Sequence, residues 1–446
     1  MINSTKNHNV GEIMFNQIDS KECICGKEHS FSSKVVIEKG AIKKLPFILE
    51  KMNLRSAFVI ADKNTYSAAG EEVTEILDNA GIKNEKYVFL KENLEPNETN
   101  VGLAVMNFNP EYDVIIGVGS GVINDISKIV ANVAGKKYII VGTAPSMDGY
   151  ASASSSMTMQ GLKISLNSKC PDVIVGDIDI ISNAPIKMMI SGLGDMLAKY
   201  VSICEWRISN LINGEYYCED IAKLVRNSLK KCVNNAEWLL KRDSNAVKAV
   251  FEGLIICGAA MKFAKVSRPA SGIEHYLSHI WDMRGAEFGL PVELHGIQCA
   301  VGTLIAVELY EKIKNIKPNK QKALSYAEAF DFSLWSDTLR EFLGKGAESM
   351  IKLEEKEGKY NLEKHKKRLD VIIEKWDDIL KIINEELPPI SDLHMLFDKV
   401  ALPKSMEEIK IDKEILPKTF KSAKDIRDKY VLPRLCWDLG IIDEII

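Results

Sequence analysis

The sequence has 446 residues and a mass of 49.8 kDa. Its composition, 46% hydrophobic and 27% charged, is that of a globular protein with material for more than one core, which excludes a disordered, collagen-like or coiled-coil chain. The formal net charge of -4 shows no excess of basic residues of the kind that binds nucleic acid or an anionic membrane, so we expect a small-molecule partner.

The amino-terminal segment precedes the first predicted core element. Residues 1–19 lack an apolar core after a basic start, so they indicate no secretory signal, and we expect a cytoplasmic protein. The next residues, CICGKEH, place Cys23, Cys25 and His29 close together. A C-x-C pair with one histidine is short of the usual four-ligand zinc pattern, so a second metal site is the less favoured interpretation. We treat residues 1–30 as a peripheral extension.

Short β-branched runs alternate with helical patterns from about residue 34 to residue 180. The predicted strands are 35–38, 57–62, 87–90, 113–120, 138–143 and 172–177. Several of them lack the polar alternation of a half-exposed strand, as expected for a parallel sheet that helices cover on both faces. The helical patterns between them end at Gly81 and Gly135, the residue type favoured just past a helix end. We predict an α/β dinucleotide-binding domain over 1–184 with a doubly wound, mostly parallel sheet.

Three segments at predicted strand ends suit a dinucleotide. The run DVIIGVGSGVINDISK has glycines between a strand and a helix, where the backbone can approach a pyrophosphate and the helix start offers free N–H groups. Its spacing is not G-x-G-x-x-G, so a tight connection without a ligand is an equal alternative. Asp62, at the end of an earlier strand, either accepts a hydrogen bond from a ribose hydroxyl or caps the next turn. The hydroxyl-rich loop 143–152 suits phosphate or ribose, although turns are rich in such residues.

The pattern changes after Pro185, where strand-like runs nearly vanish and long helical patterns continue to the carboxyl terminus. We predict an all-helical domain over 185–446. Its longest nearly apolar stretch, 247–264, includes charged residues and falls short of the ~20 apolar residues that a membrane span needs, so it predicts a buried helix. The nine cysteines are scattered and predict no compact disulfide framework.

Three of the seven histidines, His275, His279 and His295, fall within 21 residues. His275 and His279 are four apart and share one face of a predicted helix, and His295 heads the next helix. Together with Asp195 in SGLGDM they offer a carboxylate and imidazoles, the ligand set of a catalytic divalent ion such as zinc, iron or nickel. The spacing does not decide which of His275 and His279 binds the metal.

Five motifs occur in order: GVGSG-IND, TAPSMDGYAS, GLGD, SRPASG-EH--SH and LHG. With them, the chain resembles the sn-glycerol-1-phosphate dehydrogenase branch of the iron-containing alcohol dehydrogenase and dehydroquinate synthase-like superfamily, and especially its bacterial members. The resemblance spans about residues 30 to 310. The remaining helical tail, including a charge-rich segment over about 345–390, is less diagnostic.

The resemblance implies roles for individual residues. Metal ligands fall on Asp195, His275 and His295, and substrate contacts fall on Asp148, Asp195 and His279, so that Asp195 and His279 are the implied catalytic residues. The implied cofactor-binding residues, besides Asp62, are Gly119, Ser120, Gly121, Val122, Ile123, Thr143, Ala144, Pro145, Ser146 and Ser152. Many members carry a basic side chain where this chain has a valine, so we expect no side-chain contact to phosphate at position 122.

The resemblance also implies an activity: reversible hydride transfer between NAD(P)H and dihydroxyacetone phosphate, giving sn-glycerol 1-phosphate. It implies one divalent metal ion, with zinc preferred over nickel or iron, and a homodimer or larger assembly. The metal would polarise the substrate carbonyl, and His279 would relay the proton. Arg268 is the first candidate to hold the substrate phosphate, with anchoring of its own turn as the equal alternative. Lys163 and Lys199 are weaker candidates.

Three other functions compete with this interpretation. A dehydrogenase for an unphosphorylated polyol such as glycerol is the first alternative within the superfamily. A dehydroquinate synthase-like lyase is the second, although the TAPSMDGYAS and SRPASG motifs argue against it. A binding protein without activity requires an inactive metal site, which the complete set of ligand types disfavours.

Overall fold

The computed structural model describes residues 23, 25–159 and 162–446. The chain forms two compact units. The first, here called the sheet unit, comprises Met1–Met159, Lys163–Gly192 and Glu219–Lys265. The second, the helical unit, comprises Gln160–Leu162, Leu193–Cys218 and Val266–Ile446. The residues over 219–265 thus group with the sheet, whereas the sequence predicted two consecutive domains over 1–184 and 185–446.

The sheet unit contains a six-stranded sheet in which every recorded pair is parallel, in the order β1-β8-β5-β4-β2-β3. A separate two-stranded sheet pairs β6 with β7. The strands are β1 Lys34–Glu38, β2 Ser56–Asp62, β3 Lys83–Phe89, β4 Val114–Gly119, β5 Lys137–Gly142, β6 Ser154–Met159, β7 Leu162–Asn167 and β8 Val173–Asp177. The polar sequence of β6, SSSMTM, gave no strand signal, so the sequence analysis missed this pair.

Helices cover the sheet, as the unbroken apolar strands predicted. All six residues of β4 are buried, and Val114, Ile116 and Val118 belong to a core cluster with residues of β2, β5 and β8. The helices of this unit are α1 Leu45–Lys51, α2 Lys63–Thr65, α3 Glu71–Asn79, α4 Glu98–Asn107, α5 Gly121–Val133, α6 Ile178–Ile181, α9 Glu219–Leu239 and α10 Ser244–Ala264. Gly81 and Gly135 adopt positive φ just beyond α3 and α5, as predicted for helix ends.

A buried aromatic ring accounts for the grouping of α9 and α10 with the sheet. Phe251, in α10, is wholly buried and lies directly over Gly142 and Gly176, the glycines near the ends of β5 and β8. A Cβ atom on Gly142 would lie 2.7 Å from Cζ of this ring, and one on Gly176 would overlap the ring edge. The helix therefore packs in a groove that exists only because these two strand positions lack side chains.

Apart from Leu162 of β7, the regular elements in the described part of the helical unit are helices, which agrees with the predicted all-helical carboxyl-terminal half. One helix, α7 Ile186–Leu197, carries residues of both units. The others are α8 Lys199–Asn213, α11 Ile273–Phe288, α12 His295–Ile313, α13 Lys320–Glu328, α14 Phe332–Leu343, α15 Ala347–Glu357, α16 Leu362–Glu374, α17 Trp376–Glu386, α18 Ile390–Val400, α19 Leu416–Ala423 and α20 Leu432–Asp438. Among the described residues, no helix has the length and apolar content needed to cross a membrane.

The tail beyond residue 310 has its own core. Apolar side chains of α14 and α15 pack against Ile280 of α11 and form one buried cluster. Its other members are Leu339, Phe342, Leu343, Ala347, Met350 and Ile351. The helices that the resemblance does not cover are thus packed directly on the helix that carries two of the three clustered histidines.

The groove under Phe251 gives a stability prediction. Gly176→Ala places a methyl group against the ring and should destabilise the protein by about 1–3 kcal/mol, because a packed core cannot absorb extra volume. Gly102→Ala is the matched control: nothing lies within 4 Å of its Cβ position in α4, and alanine favours helix by about 0.5–1 kcal/mol. The measurement is the thermal unfolding midpoint of the full chain. Equal midpoints for the two variants would contradict the packing described.

Candidate active site

The predicted cofactor segments meet at one edge of the parallel sheet. β2 ends at Asp62, β4 ends at Gly119 and β5 ends at Gly142, and these three strands are neighbours in the order β5-β4-β2. β3 and β4 lie on opposite sides of β2, so the strand order reverses between β2 and β4. Open parallel sheets bind their ligands in the crevice at such a reversal, at the carboxyl ends of the strands.

The glycine-rich turn between β4 and α5 is shaped by close packing. A Cβ atom on Gly117 would lie 2.9 Å from both the Ser127 and the Tyr138 hydroxyl oxygens, and one on Gly119 would lie 2.8 Å from Cγ1 of Ile123. Ser120 precedes α5 without a side-chain cap hydrogen bond. The first N–H groups of α5 therefore lack a helical acceptor and point toward the sheet edge, which is the arrangement that binds phosphate.

The loop after β5 is held beside this turn by backbone contacts. The Thr143 amide donates to the Gly119 carbonyl at 3.1 Å, and the Tyr150 hydroxyl donates to the Ala144 carbonyl at 2.6 Å. Pro145 lies so close to Gly192 in α7 that a Cβ atom on that glycine would overlap the proline carbonyl. This close approach accounts for the first glycine of the GLGD motif.

Lys128, in α5, is a residue that sequence reasoning missed. Its side chain is wholly buried, and its ammonium donates to the Gly149 carbonyl at 2.5 Å, to Ser152 Oγ at 3.0 Å and to the Ser154 carbonyl at 3.1 Å. Burial lowers the pKa of this ammonium, while Asp125 opposes the shift. Lys128 therefore fixes the loop that contains Asp148 and Ser152. The sequence signal for a buried Lys128 was its position seven residues after Gly121, on the inner face of α5.

Asp62 caps α2. Its Oδ1 accepts from the Asn64 and Thr65 amides, both at 2.8 Å, and the Thr65 hydroxyl accepts from the Asp62 amide at 3.0 Å, which completes a capping box. Of the two roles considered for Asp62, the structure therefore has the helix cap. Both backbone amides donate to Oδ1, and the contact of Asp62 with a ribose hydroxyl stays a prediction. Asp148 begins a 3-10 turn, Asp148–Ala151, in the sheet unit.

The helical unit brings together Asp195 of α7, His275 and His279 of α11, and His295 of α12. Asp195 Oδ1 lies 3.6 Å from His275 Nε2, and the His275 and His295 rings are 5.0 Å apart between centroids. The His279 ring stacks on the His295 ring at 5.9 Å with an interplanar angle of 18°. Asp195 and His275 are buried, whereas His279 and His295 are partly exposed. The predicted metal ligands and the predicted proton-transfer residue therefore form one cluster.

The two histidines predicted as metal ligands are oriented by their Nδ1 atoms. His275 Nδ1 is 2.8 Å from Glu274 Oε1, and His295 Nδ1 is 3.1 Å from the Ser278 hydroxyl. Both contacts leave Nε2 as the candidate ligand atom, and such partners fix the tautomer and the ring orientation of a metal-binding histidine. Sequence reasoning did not identify Glu274 or Ser278, although both lie within one turn of His275 in the same helix.

Small residues set the spacing of this cluster. A Cβ atom on Gly194 would overlap the Gly296 carbonyl and would lie 2.9 Å from Cβ of Ala300. Gly302 approaches the backbone of Glu274 equally closely, with its Cβ position 2.8 Å from that carbonyl oxygen. Because Gly194 directly precedes Asp195, and Gly296 directly follows the third ligand, this backbone contact determines how near the two ligands come.

A buried ion pair adjoins the cluster. Lys199 Nζ donates to Asp195 Oδ1 at 2.7 Å and to the Ala270 carbonyl at 3.0 Å, and both side chains of the pair are wholly buried. Burial alone raises the pKa of the Asp195 carboxyl, but the Lys199 ammonium and the His275 imidazole outweigh it and hold that pKa well below its usual range. Asp195 is therefore an ionised carboxylate, the form that a cation requires.

Cys299 is a further donor that the sequence analysis missed. It lies one turn after His295 in α12, with its Sγ 3.6 Å from His295 Nε2. The ligand atoms of His275, His295 and Cys299 all lie within 4.8 Å of one another. Burial raises the pKa of the Cys299 thiol, but the two imidazoles outweigh it and the net shift is downward. The i to i+4 spacing from His295 was the signal in the sequence.

Arg268 lies outside this cluster. Its guanidinium donates to both oxygens of Glu215, at 2.8 and 2.6 Å, and to Ser209 Oγ at 3.2 Å. Ser209 is ten residues after Lys199 in α8, which is about 15 Å along the helix. A fourth bond, to the Tyr430 carbonyl at 2.8 Å, is of the backbone-anchoring kind that the sequence left as the alternative. The side chain of Lys163 is outside the described part of the structure.

The donor set fits a divalent cation. It combines an ionised carboxylate, two oriented imidazoles and a nearby sulfur atom, and the partly exposed His279 leaves a side open to a small molecule. Three protein ligands with an open position are typical of catalytic metal sites.

Comparisons with other proteins agree with these observations. The iron-containing alcohol dehydrogenase family matches residues 36–185. A glycerol-1-phosphate dehydrogenase (NAD(P)+) of Halalkalibacterium halodurans is 32% identical over 297 residues, which cover 66% of this chain and 74% of the relative. Proteins of the same name from Bacillus subtilis and Methanosarcina mazei are both 29% identical, over 66% and 62% of this chain and 77% and 76% of their own lengths.

Solved structures show the same fold. Glycerol dehydrogenase from Schizosaccharomyces pombe superposes with a TM-score of 0.61 at 18% identity, covering 94% of this chain and 91% of its own. A 1,3-propanediol oxidoreductase superposes with a TM-score of 0.61 at 14% identity, covering 94% and 100%. The predicted fold class, a mostly parallel sheet followed by a helical region, is thereby confirmed.

The orienting contacts give a prediction about metal binding. Ser278→Ala removes the partner of His295 Nδ1 and should weaken affinity for Zn²⁺ or Ni²⁺ about 10–100-fold, because the ring loses its fixed orientation. Ser336→Ala is the control, since it removes a buried hydroxyl that bonds only within α14. Competition against a chromophoric chelator measures both affinities. Unchanged affinity in Ser278→Ala would show that the ring is held by other contacts.

Proposed function

The chain belongs to the glycerol-1-phosphate dehydrogenase family, within the iron-containing alcohol dehydrogenases, and on that premise we propose that it interconverts dihydroxyacetone phosphate and sn-glycerol 1-phosphate with NAD(P)H. The observation that carries the proposal is the cluster of Asp195, His275 and His295, in which each imidazole presents Nε2 because its Nδ1 is engaged. The reaction is an oxidoreduction: hydride adds to C2 of the ketone, a proton adds to its oxygen, and the nicotinamide is oxidised.

The residues of the cluster have separate tasks in this reaction. Asp195, His275 and His295 hold the metal ion, and Asp195 also orients the substrate. When bound, the metal ion supplies polarisation of the substrate carbonyl, and the nicotinamide supplies the hydride. His279 donates the proton to the oxygen at C2 and regains one from solvent through its exposed edge, because an imidazole exchanges protons near neutral pH.

The cofactor lies along the sheet edge in this proposal. Gly119 to Ile123 hold the pyrophosphate at the start of α5, and Thr143 to Ser146 with Ser152 line its other side. Support comes from the uncapped helix start and from the Thr143 amide bond to Gly119. Asp62 holds a ribose hydroxyl, which favours NADH because a 2'-phosphate would be repelled by the carboxylate.

The phosphate-binding group of the substrate site has two candidates. Arg268, the first candidate from the sequence, already bonds Glu215 and stands about 15 Å along α8 from Lys199. Lys199 lies beside Asp195 and supplies an ammonium within the cluster itself. The contact of Asp148 with substrate likewise stays a prediction.

Zinc is the metal we propose. Carboxylate and imidazole accept zinc, nickel and iron alike, but the sulfur of Cys299 next to His295 Nε2 adds a soft donor that zinc accommodates. We further propose a homodimer or larger assembly that acts in the cytoplasm on a small phosphorylated three-carbon substrate. No disulfide joins any of the nine cysteines, all of which lie in the described part of the chain, in keeping with a reducing compartment.

Substrate preference tests the proposed activity. With NADH and NADPH in separate assays, kcat/KM for dihydroxyacetone phosphate should exceed that for dihydroxyacetone by at least about 100-fold, because a phosphate held by charge-assisted bonds adds a few kcal/mol of binding. The product should be the sn-1 enantiomer, as resolved by an enantiospecific coupled assay. Equal rates on the two ketones would instead favour a polyol dehydrogenase, and no net oxidation of NAD(P)H would favour the lyase.

Variants of the cluster separate metal binding from proton transfer. His295→Ala should abolish turnover and lose the bound metal together, because a ligand is removed. His279→Ala should retain the metal and lower kcat by about 10²–10⁴-fold, the usual contribution of a positioned acid or base. Metal analysis and initial rates on the same preparations make the comparison. Full activity in a metal-free His295→Ala preparation would overturn the assignment.

A further inference from the structure

The CICGKEH segment has no part in the proposed reaction, yet its side chains form a compact cluster in the sheet unit. Cys25 Sγ lies 3.2 Å from His29 Nε2, and the ligand atoms of Cys23, Cys25 and His29 all lie within 4.8 Å of one another. Cys23 and His29 are buried and Cys25 is half-buried. Two sulfurs and an imidazole nitrogen thus converge on one point.

The cluster is fixed to two helices of the same unit. His29 packs its ring against Phe263 near the end of α10 at 5.7 Å, and Phe31 packs edge-on against the same ring at 6.4 Å. Cys23 Sγ is 3.2 Å from a carboxylate oxygen of Asp220 in the first turn of α9. The segment before β1 is therefore held beside the start of α9, although 197 positions separate Cys23 from Asp220 in the sequence.

The separations suit tetrahedral zinc. Bond lengths of about 2.3 Å to sulfur and 2.0–2.1 Å to nitrogen place the ligand atoms of a tetrahedral site roughly 3.5–3.8 Å apart. Cys25 Sγ and His29 Nε2 are 3.2 Å apart, and all three ligand atoms lie within 4.8 Å of one another, so small shifts bring them to these separations. A disulfide is not the explanation for the cluster, because none of these cysteines forms one.

We propose that Cys23, Cys25 and His29 bind a structural zinc ion. The carboxylate of Asp220, in the first turn of α9, contacts Cys23 and holds the segment that carries these three residues. Thiolates and imidazole are the donors from which structural zinc sites are built. The ion stabilises the folded form of the amino-terminal segment beside α9 and is separate from the metal of the proposed reaction.

Metal content of the full-length protein tests the site. Protein produced with zinc and purified under reducing conditions should lose one equivalent of zinc per chain in Cys23→Ser and in Cys25→Ser. Cys170→Ser is the matched control, because this partly buried thiol of the same unit bonds Ser33 and the Ala151 carbonyl and should not change the zinc content. Wild-type zinc content in either ligand variant would overturn the proposal.

A second measurement keeps all the proposed zinc ligands in place, so it tests the site even if the ligand variants fail to fold. Growth with Co²⁺ in place of zinc should give a thiolate-to-cobalt charge-transfer band, and this band should persist in Cys299→Ser, which removes the thiol beside His295. The band should also persist in His295→Ala, so the result does not depend on the proposed reaction. A wild-type protein without the band, or a band that disappears in Cys299→Ser, contradicts the site.

Discussion

The backbone contact between Gly194 and Gly296 is the constraint on which the candidate active site depends. Gly194 has no room for a side chain against the Gly296 carbonyl, so the neighbouring residues Asp195 and His295 are brought together by main-chain geometry. Side-chain contacts from Glu274 and Ser278 then fix ring orientation. The predicted metal ligands are therefore positioned by backbone packing as well as by hydrogen bonds, which is how a site keeps its geometry while substrates exchange.

The same principle governs the sheet unit. Glycines at strand ends admit Phe251 on one side of β5 and β8, and glycines after β4 admit the first turn of α5. Buried Lys128 then stabilises the following loop by donating to three oxygens, so it is an internal support and not a surface charge. The sheet edge proposed for the cofactor is thus shaped by where side chains are missing as much as by where they are present.

Sequence patterns predicted what depends on local order. Strand runs, helix-ending glycines and the three clustered histidines follow from periodicity, turn chemistry and motif order, and the structure has them. The features that the sequence did not predict depend on tertiary partners. Lys128 and Cys299 have no distinctive sequence pattern, and their roles follow from the side chains that surround them when buried. The polar strand β6 is stabilised by its pairing with β7 and not by an apolar pattern of its own. The capping role of Asp62 was foreseen only as one of two alternatives, because both use the same carboxylate at the same strand end.

The pair formed by Lys199 and Asp195 has a consequence for metal binding. A lone buried carboxylate is costly in a folded core, but this one has its charge balanced by an ammonium on the next helix. The charge of Asp195 is therefore already balanced within the helical unit. At the proposed site, binding of a metal ion by Asp195 would exchange one cationic partner of this carboxylate for another.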